Sequence, residues 1–260
     1  FTLDIEEEVD VAANAGYDAI EPWISSLRAY RDAGKPLPDL RKRLEDRGLT
    51  VESAIGFAPW IVDDDAQRAK GLEEVRRDMD LLAQVGGKRL AAPPSGATRE
   101  PGLDLFKAAA RYRALLEIGD ETGVVPQVEI WGFSANLSRL GESMFVALES
   151  GHPKACLLAD IYHVYRGGSD YTGLGLLSPQ CLQVLHMNDY PDIPRDRIND
   201  KDRVYPGDGV APIAEVLGII RSTGANPVLS LELFNPTYWE NGNALDVART
   251  GLDKMKAAAG

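Results

Sequence analysis

The amino-acid sequence predicts an α/β fold built as a closed (β/α)8 barrel, and three observations lead to this prediction. Seven apolar runs of strand length recur along the 260 residues. The runs are near-continuous in apolar residues, which is typical of parallel strands covered on both faces. Helical patterns separate them, so strand and helix alternate. Seven such units in a chain of this length favour a TIM barrel of about 250 residues over an open sheet.

The predicted strands follow one another in a regular series. They are YDAIEPW from Tyr17, LTVESAIGF from Leu49, KRLAAPP from Lys88, VVPQVEIW from Val124, ACLLAD from Ala155, CLQVLHMND from Cys181 and PVLSLELF from Pro227. The first strand of the eight would precede the first helix, so we expect it to be cut to FTL or to lie upstream of Phe1. A doubly wound sheet is the alternative, but the glycine-rich phosphate turns GxGxxG and GxxxxGK are both absent from the sequence. We therefore expect one barrel domain over residues 1–260.

The predicted helices carry their own start and stop signals. LPDLRKRLEDRG has Pro38 in its first turn and Gly48 after its last. The segment from Asp63 opens on three aspartates, ends at Gly86 and has apolar residues at helical spacing, namely Leu72, Val75, Met79 and Leu82. The same design recurs in LDIEEEVDVAANAG, LFKAAARYRALLEIGDETG, LSRLGESMFVALESG and APIAEVLGIIRSTG.

Composition narrows the classes of function. The formal net charge is −12, which disfavours a protein that holds the phosphate backbone of nucleic acid. No run of about 18 apolar residues occurs, so we expect no membrane span. Cys156 and Cys181 lie in apolar runs and are predicted to be reduced thiols. We expect a cytoplasmic enzyme for small polar molecules, with an upstream signal peptide and self-association into a homo-oligomer both left open.

Four consecutive predicted strands each deliver a chemically active side chain at their carboxyl end. These side chains are Glu129, Asp160, His186 and Glu232. A single such residue is most often ion-paired or exposed, but four at one rim of one barrel indicate a shared site. Three carboxylates and one imidazole suit a hard divalent cation, and we expect one Mn²⁺ ion, with Mg²⁺, Co²⁺ or Zn²⁺ as alternatives.

Two further groups are expected to contact the substrate. His163 follows Asp160 by three residues, one turn further out, where it would reach a substrate oxygen more easily than the metal. Aromatic residues stand near several strand ends, and either core packing or a wall that stacks on a sugar explains them. They are Trp23, Phe57, Trp60 and Trp131, of which Trp131 is assigned to the substrate.

A resemblance rests on five motifs in order along nearly the whole chain: VEIW, DIYH, HMND, RVYPGDG and LELF. The chain resembles the xylose isomerase-like barrel superfamily, in the sugar phosphate isomerase/epimerase branch with ketose 3-epimerases and inosose dehydratases. The resemblance implies that the four strand-end residues are metal ligands and that Glu129 and Glu232 are also the acid and base. It implies that His163 and Arg203 hold substrate oxygens.

The resemblance implies a metal-dependent isomerase or epimerase that acts on a sugar, keto-sugar or cyclitol through an enediolate. A dehydratase or β-elimination lyase on a keto-sugar or keto-glycoside is an open alternative, and so is a non-catalytic sugar-binding barrel. Abasic-site nucleases use the same barrel, but their trinuclear zinc site needs more histidines than the three present.

Two features depart from the ketose epimerases. Their Arg six residues after the strand-end His is replaced by Asp192, and Arg203 comes later, within a loop from Tyr190 to Asp208. The segment IWGFSANLSRL after Glu129 also lacks their second Glu. The loop exceeds the usual two to six residues or so, and we expect it to shape the pocket and return Arg203 to the rim, with a surface insertion as the alternative.

Overall fold

A curled parallel sheet forms the centre of the computed structural model, which describes residues 2–240 and 242–260. Its strands are β1 (Ala19–Ile20), β2 (Thr50–Val51), β3 (Arg89–Ala92), β4 (Val125–Glu129), β5 (Leu157–Asp160), β6 (Leu182–Met187) and β7 (Val228–Leu231). Each strand lies inside one of the seven predicted runs and pairs in parallel. The predicted barrel architecture is confirmed.

Helices alternate with these strands and cover the outside of the sheet. They are α1 (Ile5–Ala15), α2 (Ile24–Asp32), α3 (Leu37–Asp46), α4 (Asp65–Gln84), α5 (Leu105–Thr122), α6 (Leu140–Glu149), α7 (Ile161–Arg166), α8 (Ile213–Ser222), α9 (Pro236–Glu240) and α10 (Ala244–Ala259). The sequence patterns had indicated α1, α3, α4, α5, α6 and α8. Among the described residues, no helix combines the length and the apolar character that crossing a membrane requires.

The strands follow one another around the barrel in sequence order. Strands β3 to β7 form one hydrogen-bonded parallel sheet, and β1 pairs with β2. Backbone hydrogen bonds bridge the two groups: Ala54 N–H donates to the Arg89 carbonyl at 3.0 Å, and Ala91 N–H donates to the Ala54 carbonyl at 2.9 Å. Because the order is consecutive, all seven carboxyl ends meet at one rim.

The barrel has one seam, between β7 and β1, across which the described residues form no strand ladder. A cavity of about 850 Å³ lies there, lined by both strands and by residues of α1 and α10. The predicted eighth strand has no counterpart among residues 2–240 and 242–260: Thr2 and Leu3 form no strand. Phe1, which belongs to the FTL alternative, lies outside the described residues.

Two apolar layers hold the barrel together. Inside it, Ile55, Ala91, Leu158 and Val184 form a small buried cluster against Val228, with residues from the regions of β2, β3, β5, β6 and β7. A much larger cluster fills the space between the strands and the helices. Both layers bury strand residues, which explains why the strands are apolar in continuous runs.

The loop after β2 packs closely against α4 at Gly71. A Cβ atom at this position would stand 2.6 Å from the Pro59 carbonyl oxygen, closer than van der Waals contact permits. We expect Gly71→Ala to lower the free energy of unfolding by about 1–3 kcal/mol, because the loop must move to admit the methyl group. Urea denaturation of the purified variant measures this change.

The matched control is Gly218→Ala inside α8, where an added Cβ meets no atom within 4 Å. Alanine has the higher helix propensity, so this variant should be more stable by about 0.5–1 kcal/mol. Equal gains in stability for both variants would contradict the close contact at Gly71.

Candidate metal centre and active site

Strand register brings three of the predicted site residues together. Asp160 is paired with His186 across β5 and β6, and His186 is paired with Ser230 across β6 and β7. Glu232 follows β7 directly, and its N–H donates to the Met187 carbonyl at 3.1 Å. Three neighbouring strands therefore end at one height on the rim.

The ligand atoms of Asp160, His186 and Glu232 lie within 4.8 Å of one another. Nδ1 of His186 is 3.3 Å from Oε2 of Glu232 and 3.7 Å from Oδ2 of Asp160. Asp160 and His186 are both 0% exposed, so water does not screen these charges. Such a set of two carboxylates and one imidazole can hold a divalent cation.

Glu21 orients the His186 ring, and our sequence analysis assigned it no role. Oε2 of Glu21 lies 3.0 Å from Nε2 of His186 and accepts a hydrogen bond of 2.6 Å from the Ser230 hydroxyl. A proton on Nε2 is then bound by Glu21, which leaves Nδ1 directed at the two carboxylates. Histidine ligands of metals commonly have such a carboxylate behind them. In the sequence, only the position of Glu21 at the end of the first predicted strand pointed to a role in the site.

The charges in this cluster depend on one another. Burial lowers the pKa of His186, but the Glu232 and Glu21 carboxylates outweigh it and raise the pKa well above its ordinary value. Burial raises the pKa of Glu232, but His186 and Arg203 hold it well below its ordinary value. Without a cation, the imidazolium therefore neutralises the carboxylates, and its Nδ1 proton stands where a metal would bind.

Two buried atoms support the fit of a cation to these residues. Nδ1 of His186 has no hydrogen bond beyond its ion-pair contact of 3.3 Å with Glu232, Oε2 of Glu129 has no hydrogen-bond partner, and neither atom is exposed to solvent. A buried polar atom without a partner costs about 1–3 kcal/mol, so such atoms usually meet a water molecule or an ion. The donor set fits a hard divalent ion, held by Asp160, His186 and Glu232 and approached by Glu129.

Glu129 is buried at the same rim but lies outside the group of three. Strand register explains its position: Glu129 pairs with Leu158 of β5, two residues before Asp160, which is about 6.6 Å along a strand. Burial raises the pKa of Glu129 to about 8, and the nearby Glu232 carboxylate adds to the effect. A hydrogen bond with the Trp131 side chain and the charge of His186 oppose it.

Asp160 has a second role as the N-cap of α7. Its Oδ1 accepts the His163 N–H at 2.7 Å, while Oδ2 accepts from the Asn188 side-chain amide at 2.9 Å. The strand can thus end on a buried carboxylate and turn at once into a helix. Asn188, also absent from the sequence prediction, fixes this turn because its Oδ1 accepts the Tyr162 N–H.

Arg203 returns to the rim, as predicted for the long loop. Its Nη1 lies 2.6 Å from Oε2 of Glu232 and 3.1 Å from Oδ2 of Asp160, and the residue is 1% exposed. Asp189 anchors the returning chain: its carboxylate accepts the N–H groups of Gly207, Gly209 and Ala211 at 2.8–3.0 Å. The alternative of a surface insertion does not describe this packed loop.

The His163 ring has two donors directed at it. Gly132 N–H lies 3.2 Å from Nδ1, and Nη2 of Arg203 lies 3.0 Å from Nε2. Burial and the Arg203 charge lower the pKa of His163 well below its ordinary value, so the ring is neutral. A neutral imidazole has one N–H and one free lone pair, so it can accept only one of these hydrogen bonds.

The structure separates the aromatic residues into two groups. Trp60 is 1% exposed, donates to the Pro93 carbonyl at 2.7 Å and belongs to the core. Trp23 and Phe57 are 44% and 45% exposed, and Trp131 is partly buried behind Phe57. Core packing is therefore correct for Trp60, and the other three remain candidates for contact with a substrate.

We expect Glu21→Gln to lower the affinity for Mn²⁺ by about 10- to 100-fold, because the neutral amide orients and polarises His186 less well. Calorimetric titration of the metal-free protein measures the affinity. Glu52→Gln is the matched control on the next strand, since Glu52 binds Lys88 and Arg89 instead. An unchanged affinity in Glu21→Gln would contradict its assigned role.

Several curated proteins are similar to this chain. The inosose isomerase of Bacillus velezensis is 25% identical over 91% of this chain and 86% of its own length. The inosose isomerase of Halalkalibacterium halodurans is 29% identical over 48% of this chain, and the match spans 45% of that protein. The 3-dehydroshikimate dehydratase of Pseudomonas aeruginosa is 26% identical over 95% of this chain but only 39% of its own length.

Solved structures share the fold. A protein described as IOLI with a bound zinc atom superposes with a TM-score of 0.91 at 20% identity, over 99% of this chain and 93% of that one. An L-ribulose 3-epimerase gives a TM-score of 0.79 at 20% identity, over 98% and 88% of the two chains. The sequence model described as xylose isomerase-like TIM barrel matches residues 9–258. The chain therefore belongs to the xylose isomerase-like TIM barrel family.

Proposed function

We propose that this protein is a divalent-metal-dependent isomerase or epimerase that acts on a keto-sugar or a keto-cyclitol. The observation that carries the proposal is the buried group of Asp160, His186 and Glu232, whose ligand atoms lie within 4.8 Å of one another with Nδ1 of His186 facing both carboxylates. The relatives named inosose isomerase support the cyclitol class. The L-ribulose 3-epimerase fold supports only the architecture.

Asp160, His186 and Glu232 would hold the cation, with Glu129 as the fourth ligand, and Mn²⁺ is the ion we expect. A bound divalent cation supplies positive charge that stabilises the negative oxygen of an enediolate. Glu129 would need to approach the other three, because it lies outside their group. Its partnerless Oε2 has no hydrogen bond to lose in doing so.

Two carboxyl groups with different environments supply the proton transfer. In the metal-free protein His186 and Arg203 hold Glu232 ionised. A bound cation would replace the His186 charge, so Glu232 could still accept a proton from the carbon next to a substrate carbonyl. Coordination would ionise Glu129, although burial raises its pKa to about 8 in the metal-free protein, so it would donate only after taking up a proton.

His163 and Arg203 would bind substrate oxygens beside this pair. The ring can satisfy only one of the donors directed at it, so a substrate oxygen that accepts from Arg203 or from His163 relieves the conflict. Trp131 would close the side of the pocket next to Glu129. These residues position the substrate, and Glu129 and Glu232 move the proton.

A second outcome of the same proton removal is loss of a β-hydroxyl or a β-alkoxy group. The 3-dehydroshikimate dehydratases of two Pseudomonas species match over 95% and 90% of this chain, which favours a dehydratase or lyase as the alternative. Product analysis separates the two: an isomer or epimer keeps every atom of the substrate, whereas an elimination product lacks water or an alcohol.

Deuterium exchange tests the assigned base directly. We expect the Mn²⁺-loaded protein in heavy water to exchange the hydrogen on the carbon next to the carbonyl of a keto-inositol. Glu232→Gln at saturating Mn²⁺ should lose this exchange by about 100-fold or more, because the amide cannot accept the proton. The control Glu215→Gln changes an exposed carboxylate of α8 and should exchange at the wild-type rate.

If Glu232→Gln exchanges at the wild-type rate, Glu232 is not the base. If wild-type protein exchanges none of a panel of keto-inositols and keto-sugars with Mn²⁺, Mg²⁺, Co²⁺ or Zn²⁺, the proposed reaction is wrong. Metal binding without exchange would instead favour a sugar-binding barrel.

Proton release tests Glu129 as a ligand. At pH 7 a carboxyl with a pKa of about 8 is mostly protonated, and coordination requires it to ionise. We expect wild-type protein to release about one proton more per bound Mn²⁺ at pH 7 than Glu129→Gln does. Calorimetry in two buffers of different ionisation enthalpy measures the number. Equal release from both proteins would exclude Glu129 from the ligand set.

A further inference from the structure

Four aromatic rings form a continuous arc at the carboxyl rim, in the segments that follow β1, β2 and β4. Trp23 follows β1, Phe57 follows β2, and Trp131 and Phe133 follow β4. Their ring centroids are 5.2 Å apart for Trp23 and Phe57, 6.0 Å for Phe57 and Trp131, and 5.2 Å for Trp131 and Phe133. We call these four residues the aromatic arc.

The aromatic arc is exposed, although large apolar side chains are usually buried. Trp23 is 44% exposed, and Phe57 and Phe133 are each 45% exposed. A single exposed aromatic residue needs no explanation, but three that are joined through Trp131 form a patch. Such a patch at the mouth of an enzyme barrel is suited to bind a flat apolar group.

The arc continues directly into the polar centre. Phe133 lies 5.6 Å from the His163 ring, centroid to centroid. Gly132, between Trp131 and Phe133, donates its N–H to Nδ1 of His163. A molecule whose carbonyl end binds beside His163 would therefore have the arc within reach of its far end, through Phe133. The mouth has a charged half and an aromatic half.

The loop that carries Trp131 and Phe133 is held in one conformation. The side-chain amide of Asn136 donates to the Ala97 carbonyl at 2.6 Å and to the Glu100 carbonyl at 2.8 Å, and its oxygen accepts the Leu103 N–H at 3.1 Å. Asn136 thus ties this loop to the loop after β3. A surface fixed before binding loses little conformational freedom when a ligand arrives, so it contributes more to affinity.

We propose that the aromatic arc selects keto-glycosides over free keto-sugars by stacking on an apolar ring attached to the substrate, and this proposal rests on the function proposed above. The polar centre takes the sugar ring with its carbonyl, and the arc takes the attached group. A free keto-sugar fills only the charged half of the mouth and leaves the aromatic half exposed to water.

The experiment compares methyl and benzyl 3-keto-β-D-glucosides, whose alkoxide leaving groups are closely matched. Deuterium exchange next to the carbonyl gives kcat/KM for each with the Mn²⁺-loaded protein. We expect the benzyl compound to be preferred by about tenfold, the scale of one aromatic stacking contact. Trp23→Ala and Phe57→Ala should each lower the rate on the benzyl compound several-fold more than on the methyl compound.

Phe106→Ala is the matched control. Phe106 is 66% exposed and packs edge-on against Phe145 at 4.9 Å, on the outer helices and outside the arc. This variant should keep the wild-type preference for the benzyl compound. Equal loss on both compounds in Trp23→Ala and Phe57→Ala would indicate a structural role and overturn the proposal.

Saturation-transfer NMR with the benzyl compound separates this proposal from the proposed reaction. If neither compound exchanges deuterium but the benzyl protons receive saturation from wild-type protein and not from Trp23→Ala, the reaction is wrong and the arc still binds the ring. No preference in rate and no saturation of the benzyl protons would overturn the arc. A change in the sedimentation coefficient alone in Trp23→Ala and Phe57→Ala would also overturn the proposal, because the arc would then be a contact between two copies of the chain.

Discussion

Asp160 and Glu232 share the Arg203 guanidinium as a positive neighbour, and the rest of the rim is arranged around this contact. Three strands bring carboxylates and an imidazole to one buried position, where unpaired charge is costly. Without a metal, Arg203 and protonated His186 supply the compensating charge. A divalent cation can replace the His186 proton at the same place, so the requirement for neutrality explains both states of the site.

The neutralisation of these charges also depends on residues outside the rim. Arg203 reaches the carboxylates only because Asp189 binds three backbone N–H groups of the returning loop. His186 presents Nδ1 only because Glu21, from the opposite side of the seam, holds Nε2. Glu21 directly follows β1 and is far from His186 in sequence. The position of the first strand therefore affects the orientation of the His186 ring.

The order of the strands determines which side chains surround the opening of the barrel. The carboxyl ends of β5, β6 and β7 carry Asp160, His186 and Glu232, and the segments after β1, β2 and β4 carry the exposed rings. Consecutive strand order places these two sets on different sides of one opening. A ligand with a polar carbonyl end and an apolar far end matches that division, whereas a uniformly polar ligand matches only half of it.

The sequence alone determined the barrel and the strand ends on which the candidate site stands, because parallel strands covered on both faces have a distinct apolar pattern and their carboxyl ends meet at one rim. It could not place Glu129 relative to Asp160, because register depends on backbone pairing across strands. It assigned no role to Glu21, Asn188 and Asn136, whose partners are distant in sequence. The tertiary structure also decided which aromatic residues are exposed: Trp60 is buried and Trp23 is not, although both stand near predicted strand ends, because the direction of a side chain depends on the packing of the helices around it.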